Sequence, residues 1–466
     1  MTEDRSAPWP VVKLFASGLL ALTCALSLFR FLDSDEVEHV HSTWHVLQGA
    51  VPYVDFFQHH HSLLWYVLAP LLALTGESAR AVILFRIVFF LLTLAIAWAT
   101  YRLARECRAS SREAWLSVCL LLSMTSFVYV AIEIRPDVPQ ALFGVVSAVY
   151  FVRMLRLGRG RDALLSGLFA AVAFLFLQKA VLLPALYVVP FALSALRRHV
   201  PWRLGLAFAG AFAAACAPFA VYLAATGSFD DYLLANWLLN ASIAGRPRQV
   251  TDLGPFVLRD FARNAVFWVL SLAAAASAVR RRPGAGYALP AWLGLAPIAV
   301  FFAFDRLVDR YIAAAVPFLA VAIALWLSET LGRRQVRGPL LAAALLIICL
   351  VPAVSMARAV FRPNSIQLAK IQYVLDRSRP DDRMFDEWRD FNLFRPDMHY
   401  AWFMTRPALR FYNRADGRFA DYDVCRLLAT VKPRFASDRV GHLARCGLEE
   451  RYRPTPFDRL VELAPE

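Results

Sequence analysis

Long apolar stretches, separated by clusters of arginine, constrain the fold of this chain more than any other feature. Many windows of about 20 residues carry no charge, and a helix of that length crosses a hydrocarbon core of about 30 Å. Of the 466 residues, 59% are hydrophobic and only 18% are charged, a composition too apolar for a soluble protein of this size. The sequence therefore predicts an all-α polytopic membrane protein.

Five arginine clusters set the expected orientation. By the positive-inside rule each cluster lies in the cytoplasm, so the chain between two consecutive clusters crosses the membrane twice. The clusters contain Arg102, Arg105, Arg108 and Arg112; Arg153, Arg156, Arg159 and Arg161; Arg197, Arg198 and Arg203; Arg280, Arg281 and Arg282; and Arg333, Arg334 and Arg337. We expect the N-terminus inside and the C-terminus outside. Abundant alanine and arginine with only four lysines indicate a bacterium with a GC-rich genome. We expect the protein in its cytoplasmic (inner) membrane.

About eleven transmembrane helices follow from these rules. They are expected near residues 11–32, 81–101, 114–132, 138–152, 163–178, 180–196, 204–225, 263–279, 287–304, 311–328 and 339–360. A further apolar segment, residues 62–75, would be about 21 Å long as a helix, which is too short to span comfortably. We therefore predict that it forms an interfacial or re-entrant helix on the outer side.

The composition changes sharply after Phe361. Residues 361–466 contain 19 Lys/Arg and 16 Asp/Glu and no long apolar run. We therefore predict a membrane domain at 1–360, with an outer loop at 33–80, followed by a small mixed α/β soluble domain at 361–466. Cys425 and Cys446 are the two cysteines of this segment, and their separation permits a disulfide, although two unpaired thiols remain the alternative.

The outer loop contains a predicted amphipathic helix, from Asp35 to Gln48. Its apolar face would lie flat on the outer leaflet, and its polar face would carry Asp35 towards solvent. The apolar positions are Val37, Val40, Trp44 and Leu47, and the polar positions are Asp35, Glu38, His39, Ser42 and His45. The alternative is that Asp33, Asp35 and Glu36 only cap the helix and complement its dipole.

Three later outer tips also carry charge. The first contains Glu133, Arg135 and Asp137, the second Lys179, and the third Arg310. The two spans that flank Lys179 have about 16 residues each, which places this lysine within the outer leaflet, where an ionisable residue is a functional candidate. An ordinary lysine in a hairpin turn is the alternative for Lys179. A snorkelling arginine, or one paired with Asp305 or Asp309, is the alternative for Arg310.

These residues together resemble the first outer loop and later motifs of the GT-C glycosyltransferases. Within that superfamily the resemblance is to the branch of protein O-mannosyltransferases and lipid A aminoarabinose transferases. The matching segments are Asp35-Glu36, Tyr53-Val54-Asp55-Phe56-Phe57, His59, Leu63-Leu64-Trp65-Tyr66, Arg135-Pro136-Asp137, Phe176-Leu177-Gln178-Lys179 and Arg310-Tyr311-Ile312. The resemblance covers roughly residues 11–330, and order, spacing and membrane side all agree with the family.

The resemblance implies transfer of a sugar from a polyprenyl phosphate to an acceptor hydroxyl at the outer face. Asp35 matches the family's base, and Glu36 or Asp137 would orient the acceptor or tune Asp35. The leaving lipid phosphate needs cations, for which Lys179 and Arg310 are candidates. The remaining candidates are His59 and His60 for the phosphate, and Asp55, Glu133 and Arg135 for the acceptor or the loop.

One departure from the family pattern concerns the histidines. Where the family has His-Lys-Pro-Pro, this chain has His59-His60-His61-Ser62. The expected lysine contact to the donor phosphate then becomes pH-dependent through His60, or falls to Lys179. No cofactor is certain, but a divalent metal is possible: His41 and His45 are an i, i+4 pair, and His59 to His61 with Glu38 or Asp55 could complete a zinc site. A cluster that faces the surface or contacts phosphate is the alternative.

Other functions fit the composition less well. The net charge of +14 comes mainly from the cytoplasmic arginines, so nucleic-acid binding is not expected. A glycan ligase or polymerase that uses a polyprenyl-linked donor is one rival function, and a non-enzymatic lipid or glycan transporter is another. The expected partners are membrane lipids, the polyprenyl phosphate sugar, and a lipid, polysaccharide or protein acceptor; the sequence names neither sugar nor acceptor.

Overall fold

The structure, a computed structural model, describes residues 9–244, 254–280, 286–303, 309–331 and 338–465. Helices dominate it. In chain order they are α1 (Trp9–Phe29), α2 (Ser34–Leu47), α3 (Leu63–Thr75), α4 (Arg80–Glu106), α5 (Ser111–Ser123), α6 (Thr125–Ala131), α7 (Asp137–Leu157), α8 (Gly160–Phe176), α9 (Leu182–Leu196), α10 (Arg203–Ala225), α11 (Phe229–Tyr232), α12 (Leu239–Ala244), α13 (Gly254–Arg280), α14 (Ala288–Ala303), α15 (Asp309–Ala313), α16 (Val316–Leu331), α17 (Gly338–Val360), α18 (Ser365–Arg377), α19 (Arg406–Ala415), α20 (Val424–Val431) and α21 (His442–Arg445). Short 3₁₀ turns at Gln178–Val181 and Glu449–Arg451 and a π-helical turn at Leu233–Leu238 complete the helical elements.

Seven of the described helices are long and apolar enough to cross a membrane, or eight if the bent pair α5 and α6 forms one span. The prediction of an all-α polytopic membrane protein is confirmed. Each predicted span contains a described helix, but α8, α14 and α16 have only 17, 16 and 16 residues. These three helices would be roughly 24–26 Å long at 1.5 Å per residue, so the count of eleven crossings stays a prediction.

The chain divides into two compact units. Unit 1 comprises the described residues within 1–30, 86–219 and 247–362, and unit 2 those within 31–85, 220–246 and 363–466. Unit 2 therefore combines the predicted outer loop, a segment after α10 and the C-terminal segment. This division groups residues that contact one another in space. The predicted boundary at residue 361 instead rests on the change in amino-acid composition along the chain. The domain assignment from sequence stays a prediction.

Close helix packing stabilises unit 1. Ser147 and Ser166 exchange hydrogen bonds between α7 and α8, each hydroxyl donating to the other residue's carbonyl oxygen at 2.8 and 3.0 Å. On the next face of α8, a Cβ atom at Gly167 would overlap the carbonyl of Phe208 in α10. Small residues allow this approach, and helices in a bilayer associate largely through such packing and polar contacts.

The C-terminal part of unit 2 contains the small sheet. Its strands are β1 (Met384–Asp386), β2 (Phe435–Ser437), β3 (Tyr452–Pro454) and β4 (Val461–Leu463), in the spatial order β1-β2-β4-β3. β1 and β2 are parallel, with Phe385 opposite Ala436, and β4 is antiparallel to both of its neighbours. The prediction of a small mixed α/β segment is confirmed, including a helix near residues 365–378 and a strand at Met384-Phe385.

A disulfide joins Cys425 to Cys446, with Cα atoms 5.3 Å apart. The bridge that the sequence permitted is therefore present, and it ties α20 to the end of α21. In the chain-entropy account, a bridge of this loop length stabilises the folded state by constraining the unfolded chain.

Replacing both Cys425 and Cys446 with serine is expected to lower the free energy of unfolding by about 2–4 kcal/mol. Thermal unfolding with and without a reductant measures this, because reduction should lower the melting temperature of the wild type but not of the double variant. Cys24→Ser, which changes a free cysteine of α1, is the control. Equal melting temperatures for wild type and double variant would contradict the expectation.

Candidate functional site

Helix α2 begins with a capping box. Asp33 is the N-cap residue, and its side chain accepts a hydrogen bond from the backbone of Asp35 at 3.0 Å. The carboxylate of Glu36 accepts from the backbone N–H of Asp33 at 2.9 Å. Two unpaired donors of the first turn are thereby satisfied. Capping therefore accounts for Asp33 and Glu36, and a further role for Glu36 in catalysis stays a prediction.

The polar face of α2 is buried, not exposed to solvent as the amphipathic pattern predicted. Asp35 is 9% exposed, Glu38 2% and His39 1%. α2 packs on α3 within unit 2, where Nε1 of Trp65 donates to Nδ1 of His39 at 3.3 Å, and the C-terminal segment reaches the polar face through Arg389. A pattern in sequence cannot tell a polar face in water from one that is buried against charged partners.

Arg389 bridges the two carboxylates of this face. Its Nη1 atom lies 3.2 Å from Oδ1 of Asp35 and also donates to Oε2 of Glu38. The backbone of Arg389 is in the left-handed region (φ +52°), which is rare for a residue with a side chain. Asp386 stabilises the following turn, because its Oδ2 atom accepts from the backbone N–H groups of residues 390, 391 and 392 at 2.9–3.0 Å. Arg389 was not among the predicted site residues, since no local sequence pattern marks it.

Glu38 has an unusual charge environment. Burial raises its pKa from 4.5 to about 7, because the ionised form loses its hydration; the cation of Arg389 opposes this shift and the nearby Asp35 adds to it. Gln58 donates to Oε1 of Glu38 at 3.2 Å and to the hydroxyl of Ser42 at 2.7 Å. The charge next to Asp35 therefore changes near neutral pH.

Glu38→Gln is expected to change how stability depends on pH. A carboxyl group whose pKa is raised on folding stabilises the protein below its unfolded pKa of 4.5, and this contribution is lost as the pH rises to about 7. Glutamine does not titrate. Between about pH 5 and pH 8, the melting temperature of the wild type should fall relative to that of the variant. Asp458→Asn, at an exposed carboxylate, should follow the wild type; parallel curves for Glu38→Gln would contradict the expectation.

The histidines of the loop fall into separate groups. Side-chain ligand atoms of Glu38, His59 and His60 lie within 4.8 Å of one another, and so do those of His41, His45 and Asp397. His61 belongs to neither group, because its Nε2 atom lies 2.9 Å from the hydroxyl of Tyr232. The zinc site predicted from all these histidines is therefore divided between two places in unit 2.

Asp55 has a local role. Its carboxylate accepts from the backbone N–H of Val51 at 2.6 Å and so closes the turn that leads to Phe56. Tyr53, in the same turn, has a positive φ of 73° and donates its hydroxyl to the carbonyl of His60 at 2.8 Å. This part of the family-like motif shapes the loop, and a contact of Asp55 with an acceptor stays a prediction.

A second group of charged residues lies in unit 1, around the start of α7. Asp137 is the first residue of α7, and its two carboxylate oxygens lie 2.5 Å from Nζ of Lys179 and 3.3 Å from Nε of Arg135. Lys179 is in the 3₁₀ turn between α8 and α9, at the tip where the sequence placed it. Glu133 pairs with Nη1 of Arg30 at 2.8 Å and lies 3.8 Å from Arg135.

Next to this group lies an apolar cavity of about 50 Å³ in unit 1, which Lys179 borders. Lys179 and Arg310 contribute to its lining, and Nζ of Lys179 lies 4.2 Å from the ring centre of Tyr311. The rest of the lining is mainly apolar: Leu183, Leu186, Leu293, Pro297, Phe301 and Phe318 are among its residues. Asp305, the predicted alternative partner of Arg310, and the side chain of Asp309 lie outside the described residues.

Comparisons with known proteins agree with this architecture. The family model "Dolichyl-phosphate-mannose-protein mannosyltransferase" matches residues 60–223. The structure of ArnT from Cupriavidus metallidurans bound to undecaprenyl phosphate is similar over 97% of both chains, with a TM-score of 0.71 and 14% identity. The predicted resemblance to GT-C glycosyltransferases is confirmed.

A second GT-C structure is similar over a smaller share of its length. It is the oligosaccharyltransferase AglB from Archaeoglobus fulgidus, in complex with an inhibitory peptide and a dolichol phosphate. The similarity covers 91% of this chain and 69% of that one, with a TM-score of 0.51 and 13% identity. No curated protein sequence matches the chain. At these identities the likeness establishes the fold of this multi-pass chain but not its activity or its substrates.

Proposed function

We propose that this chain transfers a glycosyl group from a polyprenyl phosphate sugar to an acceptor hydroxyl at the outer face of the membrane. The observation that carries the proposal is Lys179, a lysine paired with Asp137 at an apolar cavity between membrane helices. A partly buried ammonium group at this place suits a phosphate attached to a hydrocarbon chain, because one end of such a ligand is anionic and the other apolar. Both structural relatives were solved with a polyprenyl-type phosphate.

The proposed reaction is a single displacement. The acceptor oxygen attacks the anomeric carbon, the bond from that carbon to the phosphate oxygen breaks, and its electron pair stays on the lipid phosphate. Asp35 takes the proton of the acceptor hydroxyl, for which it must be ionised. The ion pair with Arg389 at 3.2 Å favours that ionised form. Lys179 and Arg310 are assigned to the phosphate, whose negative charge grows as the bond breaks.

Two features support the proposed side of the membrane. The arginine clusters between spans favour the cytoplasm by the positive-inside rule. The disulfide between Cys425 and Cys446 suits an oxidising compartment outside the cytoplasm. The bacterial inner membrane and an outward-facing unit 2 are thus part of the proposal.

Transfer of a radiolabelled sugar by purified protein in detergent tests the proposal. A short-chain polyprenyl monophosphate sugar is supplied with lipid, polysaccharide or peptide acceptors in separate reactions. We expect labelled acceptor and free polyprenyl monophosphate in equal amounts. A protein that uses only preassembled glycans on a polyprenyl diphosphate would be a ligase or polymerase. If the protein transfers sugar from none of the monophosphate donors, the proposal is overturned.

A further inference from the structure

Helix α2 carries a second cluster of titratable side chains, one turn beyond Glu38. The Nε2 atoms of His41 and His45 lie 2.8 and 3.1 Å from the same carboxylate oxygen, Oδ2 of Asp397. His41 is fully buried, and Asp397 is only 8% exposed. The three residues come from two segments of unit 2 that are more than 350 positions apart in sequence.

We infer that His41, His45 and Asp397 bind a divalent transition metal, with zinc as the best fit. Two histidines four positions apart present their rings on one face of a helix, and an aspartate from another segment supplies the third ligand. Ligand atoms of a tetrahedral zinc site lie roughly 3.3 Å apart when the bonds are about 2.0 Å long. The two distances to Asp397, 2.8 and 3.1 Å, are near that spacing, and the three ligand atoms lie within 4.8 Å of one another, so side-chain shifts would accommodate an ion. The inference does not rest on the proposed glycosyl transfer.

The outer contacts of the cluster match those of metal ligands. Nδ1 of His41 lies 3.1 Å from the carbonyl oxygen of Leu393, and Oδ1 of Asp397 accepts from Nδ2 of Asn392 at 3.1 Å. A histidine ligand commonly donates its other N–H to a carbonyl, and a carboxylate ligand commonly accepts a hydrogen bond on its free oxygen. Both contacts leave Nε2 of His41 and Oδ2 of Asp397 directed towards each other and towards His45.

The number of protons on His41 favours a cation between this histidine and Asp397. Both ring nitrogens of His41 face oxygen acceptors, yet a neutral imidazole has only one N–H to donate. With Nδ1–H on Leu393, the lone pair of Nε2 would face the carboxylate oxygen of Asp397. A cation between them replaces this repulsion with two bonds. His45, whose side chain is 15% exposed, leaves an approach for the ion and for water as a fourth ligand.

A protonated His41 is the rival explanation. Burial lowers its pKa, but the charge and hydrogen bond of Asp397 outweigh burial and the net shift is upward. An imidazolium paired with Asp397 would satisfy the same atoms with no ion. The two explanations differ in what the purified protein binds, so a metal measurement separates them.

A bound metal would hold parts of unit 2 in position. It would join α2 to the segment around Asp397, and the same segment carries Arg389, the partner of Asp35. The metal would thus stabilise unit 2 and hold Arg389 near Asp35, without contacting the reacting atoms. Any ligand that binds only the folded state raises its stability.

The test measures zinc in the full-length protein after removal of any affinity tag. The protein is stripped with a chelator, reconstituted with zinc, dialysed and analysed by mass spectrometry of the metal. We expect about one zinc per chain for the wild type. His45→Gln and Asp397→Asn should each lower the zinc affinity at least tenfold. Changes to residues that only contact a ligand typically lower metal affinity 10–100-fold, and loss of a ligand should cost as much or more. Cobalt in place of zinc should give the strong visible absorption of a tetrahedral site.

Two variants sharpen this test. His442→Gln removes a histidine that pairs with one carboxylate, Glu387, at 3.0 Å, and it should retain its zinc. His60→Gln tests the neighbouring cluster: zinc lost there but kept in His45→Gln would overturn the assignment. The chelator should also lower the melting temperature of the wild type and leave that of His45→Gln unchanged. A wild type that binds no zinc on reconstitution would overturn the inference in favour of the protonated His41.

Discussion

Replacing Asp35 with asparagine is expected to lower the rate of glycosyl transfer by about 10²- to 10⁴-fold, the loss typical of a missing general base. Asparagine has nearly the same shape as aspartate, but it cannot take a proton from the acceptor. Arg389 would keep its contact with Glu38, so the cation would not be left without a charged partner. The folded protein should therefore form in normal amounts and melt close to the wild type.

The measurement for Asp35→Asn is the turnover of labelled donor at saturating acceptor. Glu36→Gln is a matched control from the same turn, because its amide oxygen can still accept from the N–H of Asp33. This control should remain far more active than Asp35→Asn if Glu36 serves only the cap. Retention of more than half of the wild-type rate by Asp35→Asn would remove Asp35 as the base.

Lys179→Ala is expected to weaken binding of the polyprenyl phosphate donor by roughly 10- to 100-fold, since a hydrogen bond to a charged group contributes about 1.5–3 kcal/mol. The variant would also leave Asp137 with one fewer cation, although Arg135 remains 3.3 Å away. Lys179→Arg should recover part of the affinity, because the charge survives while the planar guanidinium differs in shape from an ammonium.

Donor affinity is measured by competition with unlabelled polyprenyl phosphate, separately from the turnover rate. Lys370→Ala serves as the matched control: this lysine also pairs with an aspartate, Asp390, at 2.8 Å, but in unit 2. It should bind the donor normally. If the alanine and arginine variants of Lys179 both bind donor as the wild type does, the lysine only stabilises Asp137.

Much of the helical architecture could be predicted because a membrane helix is encoded by a continuous apolar segment of the sequence. A run of apolar residues between arginine clusters locates a helix without knowledge of its neighbours. Helix ends within runs were harder to locate. The predicted span at 114–132 is bent by 77° between α5 and α6, and the predicted span at 311–328 is interrupted between α15 and α16. Met124, which separates α5 from α6, is neither proline nor glycine, so no ordinary breaker marked the first break. Pro317 marks the second, because a proline at this position cannot donate to the carbonyl of Ala313, where α15 ends.

The partners of the predicted site residues were the hardest part to predict. Asp35 and His41 stood out in sequence, but Arg389 and Asp397 lie in a segment with many other charged residues and no periodic pattern. The three-residue strands that position this segment are too short to give an alternating signal. A polar helix face was consequently assigned to solvent, although charged residues of a distant segment cover it.

Unit 2 is assembled from three separate segments of the chain, and this has a consequence for biosynthesis. A ribosome completes the loop that carries Asp35 long before it reaches residues 363–465, which supply Arg389 and Asp397. Until then the acidic and histidine-rich face of α2 lacks the partners that neutralise it. The nascent chain must therefore keep this face hydrated or shielded while its membrane helices insert. Maturation of the loop that carries Asp35 is expected to be among the last steps, after synthesis of the C-terminal segment.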